Sequence, residues 1–209
     1  LKLREIFTSI YQHPTGWGSS ESKSGTGSEL SATLKLRNEL SFLFLKYKIN
    51  SILDIPCGDF NWMSQMDLSE IKYIGADIVK ELIESNRIKY PNFEFHALDI
   101  TSDDLIKTDL IFTRDCLVHL SNENIFKAVE NMKKSGSRFL LTTSFTSFCE
   151  NQDITDGGWR PINLTLPPFN FKPIYLINEM FNSAEDKSML LFDLKNLYNP
   201  NYENRQSNL

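Results

Sequence analysis

Cysteine, histidine, basic charge and long apolar runs are all scarce in this chain, and each shortage removes a class of function. Its 209 residues include three cysteines, Cys57, Cys116 and Cys149, at wide and irregular spacings. That pattern fits neither a disulfide framework nor a zinc site and points to a reducing cytoplasm. The three histidines cluster with no cysteine, so no metal site is expected, and Asn151 with Asp153 makes too thin an oxygen set for calcium. Lysine and arginine number 22 against 27 acids, a net charge of -5 that argues against nucleic acid as the main partner. No run approaches the ~18 apolar residues of a membrane span. No charged-then-apolar leader precedes the first acidic residue, so no secretory signal is expected.

What is present is an alternation of short apolar runs with helical patterns. Apolar strands are expected at 51–55, 72–77, 93–98, 109–113 and 138–144. Between them fall a short helix at 60–66, a helix at 79–89, a helical turn at 102–106 and a helix at 122–134. This order implies a doubly wound, Rossmann-like α/β fold with a mostly parallel sheet covered on both faces. Segments 174–181 and 188–194 flank 182–187 as a closing antiparallel hairpin, which completes seven strands. Residues 1–47 read as a cap made of a Gly/Ser-rich loop and a helix over 28–47, and residues 48–198 as the core. Residues 146–172, rich in Gly, Asn, Pro and aromatics, interrupt the alternation as a substrate loop, and 199–209 read as a polar, frayed tail.

Ligands of open α/β sheets bind beyond the carboxyl ends of the strands. Here those ends are Asp54-Ile-Pro-Cys-Gly58, Asp77-Ile78, Asp99-Ile100 and Arg114-Asp115. A strand that runs through a glycine turn into a helix leaves backbone N–H groups free beside a ligand. Asp77 follows that turn by about twenty residues, the spacing at which an acid meets ribose hydroxyls. Asp99 is placed to accept from an exocyclic amine, with the Ile100 N–H donating to the same ring. Each acid alone also fits a turn or helix cap; in order they indicate a nucleoside-like cofactor. Cys57 and Cys116 follow strands too and read as small apolar fillers.

The runs Ile52-Leu-Asp-Ile-Pro-Cys-Gly-Asp59, Tyr73-Ile-Gly-Ala-Asp-Ile78, Leu98-Asp-Ile100 and Asp109-Leu-Ile-Phe-Thr-Arg-Asp-Cys-Leu-Val-His-Leu120 resemble class I S-adenosylmethionine-dependent methyltransferases over roughly residues 52–144. The resemblance implies Asp54 and Gly58 near the methionine part, Asp77 on the ribose and Asp99 on the adenine. Pro56 and Phe60 stand where that family usually has glycines; Pro56 removes a donor and Phe60 is expected to bring a ring against the ligand. A nicotinamide dehydrogenase is the nearest competitor, but it wants Gly-x-Gly-x-x-Gly, and Asp59 is a poor neighbour for a diphosphate. A cationic sulfonium ligand tolerates these carboxylates better.

Methyl transfer needs alignment of the acceptor and, for an alcohol, removal of its proton. His119 and Asp115 are the expected catalytic groups for an alcohol, with Arg114 and Arg160 the cations for an anionic acceptor. In the loop, Trp159 offers a flat face, Arg160 a fork and Asn163 hydrogen bonds to the acceptor. From the other side Trp17 is expected to cover the cofactor or acceptor, and Ser22-Lys-Ser-Gly25 to hold a carboxylate or another anion. The runs Arg114-Asp-Cys-Leu-Val-His119 and Gly158-Trp-Arg-Pro-Ile-Asn-Leu164 are similar to small methyltransferases of bacterial capsule or surface-polysaccharide pathways. That resemblance implies an O-methylated sugar or a capsular phosphoramidate. N-methylation of a small amine and a cofactor-binding subunit without turnover are the alternatives.

Overall fold

The computed structural model describes residues 2–13, 16–179 and 186–197. Its centre is a seven-stranded sheet of order β3-β2-β1-β4-β5-β7-β6. The strands are β1 Ser51–Asp54, β2 Lys72–Asp77, β3 Glu94–Ala97, β4 Leu110–Thr113, β5 Phe139–Phe145, β6 Tyr175–Asn178 and β7 Lys187–Asp193. The first five run parallel, β7 is antiparallel to β5, and β6 is antiparallel to β7. The helices are α1 Leu3–Gln12, α2 Leu30–Tyr47, α3 Lys80–Lys89 and α4 Asn122–Lys134. This is the doubly wound, mostly parallel architecture with a closing hairpin that the alternation implies.

Period-two placement of side chains explains the near-continuous apolar strands. Ile52 points to one face, where it joins Leu36, Leu40 and Leu43 of α2 and Ile83 of α3. Leu53 and Ile55 point to the other, where Ile125, Ala128, Val129 and Met132 of α4 wait with Ile162, Leu164 and Phe169 of the long loop. Helix α4 starts where Ser121 accepts from the Asn124 N–H, an N-cap in sequence and in geometry.

Several local expectations are corrected. The helix expected at 60–66 is only a 3-10 turn, Met63–Gln65, because Phe60 sits at φ +57, a left-handed conformation from which a helix cannot propagate. The helical turn expected at 102–106 is not formed there; a single turn lies earlier, where the N–H groups of Ser102 and Asp103 both bond back to the Asp99 carbonyl. Helix α1 was hidden beside the Gly/Ser-rich segment that follows it. Its apolar residues Leu3 and Phe7 pack against the core, although none is fully buried. The expected hairpin turn over 182–187 lies largely outside the described residues, as does the tail 199–209.

Helix α1 and the loop after it lie across the carboxyl ends of the strands. Arg4 donates through Nη1 to the Ile78 carbonyl and stands 3.5 Å from Asp103. Gln12 bonds Glu81 at 3.0 Å. At the opposite edge Ile6 and Ile10 crowd Gly157, where a Cβ would meet Ile6 at 2.7 Å. The cap therefore bridges the end of β2 and the loop after β5.

Candidate functional site

Between this cap and the strand ends lies a cavity of about 940 Å³. Its floor is made by Asp54, Pro56, Gly58, Asp77, Ile78, Asp99, Ile100, Arg114, Asp115 and His119, the acids and turns that the sequence singles out. Trp17 and Trp159 also line it, and Phe7 and Tyr11 of α1 roof it.

The β1 turn is built for close packing of the N-terminal loop against it. Gly58 has φ +55, and a Cβ there would lie 2.2 Å from Ser24 Oγ, so only glycine fits. Its N–H points to Asp77 Oδ2 at 3.3 Å. Asp59 straps the N-terminal loop onto this turn: its carboxylate accepts from Ser22 Oγ at 3.0 Å and from the Lys23 N–H at 2.8 Å, and its own N–H donates to Ser24 Oγ at 2.9 Å. The hydroxyls of Ser22 and Ser24 are thus committed to Asp59 rather than to an anion, and Lys23 is what the segment brings to the cavity wall. Phe60 departs from expectation as well. Its ring turns away from the cavity into a cluster with Tyr73, Tyr90, Phe93 and Phe95, at centroid distances of 4.8 to 5.4 Å. The glycine it replaces is not needed for ligand approach here.

Asp54 is buried and accepts from the Tyr73 hydroxyl at 2.6 Å. Burial pushes its carboxyl up to about 8, against the Tyr73 bond and with added repulsion from Asp77. Burial also raises Asp77, to about 6, opposed by N–H groups including those of Val79 and Gly58. Asp99 uses one oxygen on the N–H and hydroxyl of Thr101, at 2.9 and 2.6 Å. A cation brought against Asp54 favours its carboxylate, so binding of a ligand ammonium should expel a proton. Because the free group is raised, S-adenosylhomocysteine affinity should increase with pH from 6 to 8 and level off above 8. Calorimetry in buffers of different ionisation heat would show proton release over that window; a pH-independent affinity without release would contradict it.

At the other end, β4 delivers Arg114 and Asp115, followed by a 3-10 turn, Leu117–His119. His119 Nδ1 lies 2.7 Å from the Gly158 carbonyl. A carbonyl only accepts, so the proton of the neutral ring sits on Nδ1 and Nε2 carries the free lone pair. Burial lowers the His119 pKa, opposed by the Gly158 bond and Asp115, which keeps the ring in this basic form near neutrality. Trp17 stacks on the imidazole, with centroids 4.3 Å apart and planes 27° apart, so it stands on the His119 side of the cavity.

Asp115 is not a base. It is held at φ +53, and its Oδ2 accepts from Lys187 Nζ at 2.5 Å and faces Arg114 Nη1 at 3.4 Å. Burial alone would raise it, yet Lys187 and Arg114 bring it down to about 2, so it stays ionised and takes no proton at neutral pH. Arg114 donates through Nε and Nη2 to Glu179, at 3.1 and 2.6 Å, and through Nη1 to the Gly27 carbonyl at 2.8 Å. It borders the cavity, but its donors are largely taken.

Two substrate assignments are overturned. Arg160 is buried, and its guanidinium donates to the carbonyls of Leu117 and Leu120 at 2.8 Å and of Gln152 at 3.2 Å. It clamps the turn that carries His119 and offers no fork to an acceptor. Asn163 is also buried, with its amide on the carbonyls of Phe148 and Thr146 and its oxygen on the Thr165 N–H and hydroxyl. Polar residues in an irregular loop look available to a ligand, but Arg160 satisfies mainly the backbone of the 117–120 turn and Asn163 that of the loop itself. Trp159 does face the cavity, half-exposed and edge-on to Phe145 at 6.0 Å. Sequence reasoning missed Lys187 and Glu179, whose partners lie 72 and 65 residues away, and no local pattern announces such pairs.

No protein-family model matches the chain. A stretch of 105 residues is 32% identical to phosphoethanolamine N-methyltransferase 1 of Zea mays, covering 47% of this chain and 21% of that protein. Another of 96 residues is 29% identical to the putative methyltransferase 235L of invertebrate iridescent virus 6, covering 44% and 36%. The matched stretches thus span only a fifth to about a third of those relatives. Among solved structures, N-methyltransferase NodS from Bradyrhizobium japonicum in complex with S-adenosyl-L-homocysteine superposes with a TM-score of 0.62 over 95% of this chain and 98% of that one, at 14% identity. The fold is that of the class I S-adenosylmethionine-dependent methyltransferases.

Proposed function

We propose that this chain is a methyltransferase that binds S-adenosylmethionine along the ends of β1 to β3 and methylates a hydroxyl of a small acceptor held between His119, Asp115 and Trp159. The observation that carries this reading is the fixed tautomer of His119: a lowered-pKa imidazole, with its free lone pair on Nε2, lines the same cavity as the Asp77–Gly58 turn. The residues present suit the cofactor. Gly58, Asp77, Asp99 and Ile100 line one end of the cavity, where Asp77 offers carboxylate oxygens to a ribose and Asp99 an acceptor to a base, and Asp54 and Asp77 suit a cationic ligand. When bound, S-adenosylmethionine supplies an electrophilic sulfonium methyl. The chain's own task is then to align the acceptor and accept its proton at His119 Nε2, which returns it to solvent after transfer. Asp115, permanently ionised, accepts from a neighbouring hydroxyl. The resemblance of the 114–119 and 158–164 runs supports a sugar of capsule or surface-polysaccharide synthesis in the cytoplasm as the acceptor class.

Methylation of a small amine is a second reading, favoured by the acids of the cavity wall and the faces of Trp17 and Trp159. Incubation with S-adenosylmethionine and separate panels of methyl glycosides and aliphatic amines distinguishes them. Release of S-adenosylhomocysteine that depends on glycosides is the expected result. Dependence on amines alone would move the assignment to nitrogen. Cofactor binding without turnover in either panel would leave a non-catalytic subunit.

A further inference from the structure

Four charged side chains meet at the acceptor end of the cavity: Arg114, Asp115, Glu179 and Lys187. The two cations and two anions close on each other. Arg114 is bidentate on Glu179, and Lys187 Nζ lies 2.5 Å from Asp115 Oδ2 and 3.7 Å from Glu179 Oε2. The loop covers them closely, since a Cβ on Gly27 would lie 3.4 Å from Asp115 Oδ2 and 3.9 Å from both Arg114 Nη1 and Lys187 Nζ. Arg160, the other cation expected here, is buried under the 117–120 turn with its donors on backbone carbonyls. Lys23 remains, but it stands on the loop strapped to the Gly58 turn, beside Tyr11, at the cofactor end. Among the described residues, a cavity bordered by Arg114 and Lys187 therefore presents no uncompensated positive charge at this end.

Building on the methyltransferase reading, we infer that Asp115 is a specificity-determining residue: it cancels the charge of Lys187, so that the part of the acceptor entering between His119, Trp17 and Trp159 is an uncharged, hydroxyl-bearing ring and not a phosphate or carboxylate. An anion there would have to strip Lys187 from Asp115 and then face that carboxylate at close range, and like-charge juxtaposition is costly. A hydroxyl pays no such penalty. It donates to Asp115 or His119 Nε2 and accepts from Lys187, while the faces of Trp17 and Trp159, 44% and 54% exposed, take the apolar side of a ring. The quartet thus reads oxygen positions without reading charge.

The test is titration of the S-adenosylhomocysteine-saturated protein with inorganic phosphate, which keeps the probe out of the cofactor end. Saturation itself reports on the methyltransferase reading, so the two failures are separable. Wild type should bind phosphate with a Kd above about 10 mM. Asp115→Asn keeps a residue that tolerates positive φ and uncovers one net charge, so it should bind phosphate about tenfold tighter or more. Adding Lys187→Met should abolish the gain. Variants are compared only where they melt cooperatively and still bind S-adenosylhomocysteine. Phosphate binding by wild type that Lys187→Met removes would overturn the inference, as the acceptor end would then be an anion site. Failure of Asp115→Asn to gain phosphate, or a gain that survives Lys187→Met, would overturn it equally, because Asp115 would not be what silences Lys187.

Discussion

Turnover in His119→Ala should fall by about 10² to 10⁴, while affinity for S-adenosylhomocysteine stays near wild type. The split between these readouts follows from the geometry. His119 lies past β4, away from the Gly58 turn and Asp77, so its loss leaves the cofactor contacts in place, but an alcohol oxygen then keeps its proton during attack. The Gly158 carbonyl sets the tautomer, which leaves Nε2 as the nitrogen that takes the proton. The pH profile carries the same signature. A base must be neutral to act, and burial holds His119 below its ordinary 6.5, so wild-type turnover at saturating S-adenosylmethionine should rise with pH through a value under 6.5 and then stay level toward neutrality. Near wild-type turnover of the variant with a hydroxyl acceptor would remove His119 from the mechanism.

The largest effect on stability should come from Glu179→Ala. The Glu179 side chain is 1% exposed and that of Arg114 6%, and the two are joined by a bidentate pair. Truncating one partner leaves a buried guanidinium with the Gly27 carbonyl and a shared Asp115, a loss of about 3–5 kcal/mol. At roughly 2–4 °C per kcal/mol for a chain of this size, Tm should fall by about 6–20 °C. Because Gly27 belongs to the cap, loosening Arg114 should also weaken the loop over the cavity. Replacing both partners together, Arg114→Met with Glu179→Leu, should recover much of the loss, since no charge is then stranded. A drop under about 2 °C for the single variant would show that the pair is not the anchor described.

How much of this was legible in the sequence depends on the range of the interaction involved. The strands and α4 were readable because burial on both faces forces apolar runs and because Ser121 caps α4 through a bond three residues long. The strand-end acids were readable because parallel topology brings every carboxyl end to one edge. Arg160 and Asn163 do not show their roles in the sequence because their main partners are backbone carbonyls, of the 117–120 turn and of the same loop, and a carbonyl has no identity in a sequence. The expectation for Phe60 failed through conformation: at φ +57 its ring leaves the turn and joins four aromatics that arrive from β2, from the segment between α3 and β3, and from β3. Glu179 and Lys187, ordinary charges flanking a hairpin, gain meaning only when β7 inserts beside β5 and brings them to Arg114 and Asp115.

Calorimetric titration with S-adenosylhomocysteine, with NAD as the control, tests the central claim most directly. The cavity described above predicts micromolar binding of the first and none of the second, with Asp77→Ala weakening the first because the carboxylate proposed to meet the ribose is gone. No binding of S-adenosylhomocysteine, or binding of NAD in its place, would contradict the methyltransferase assignment of this site.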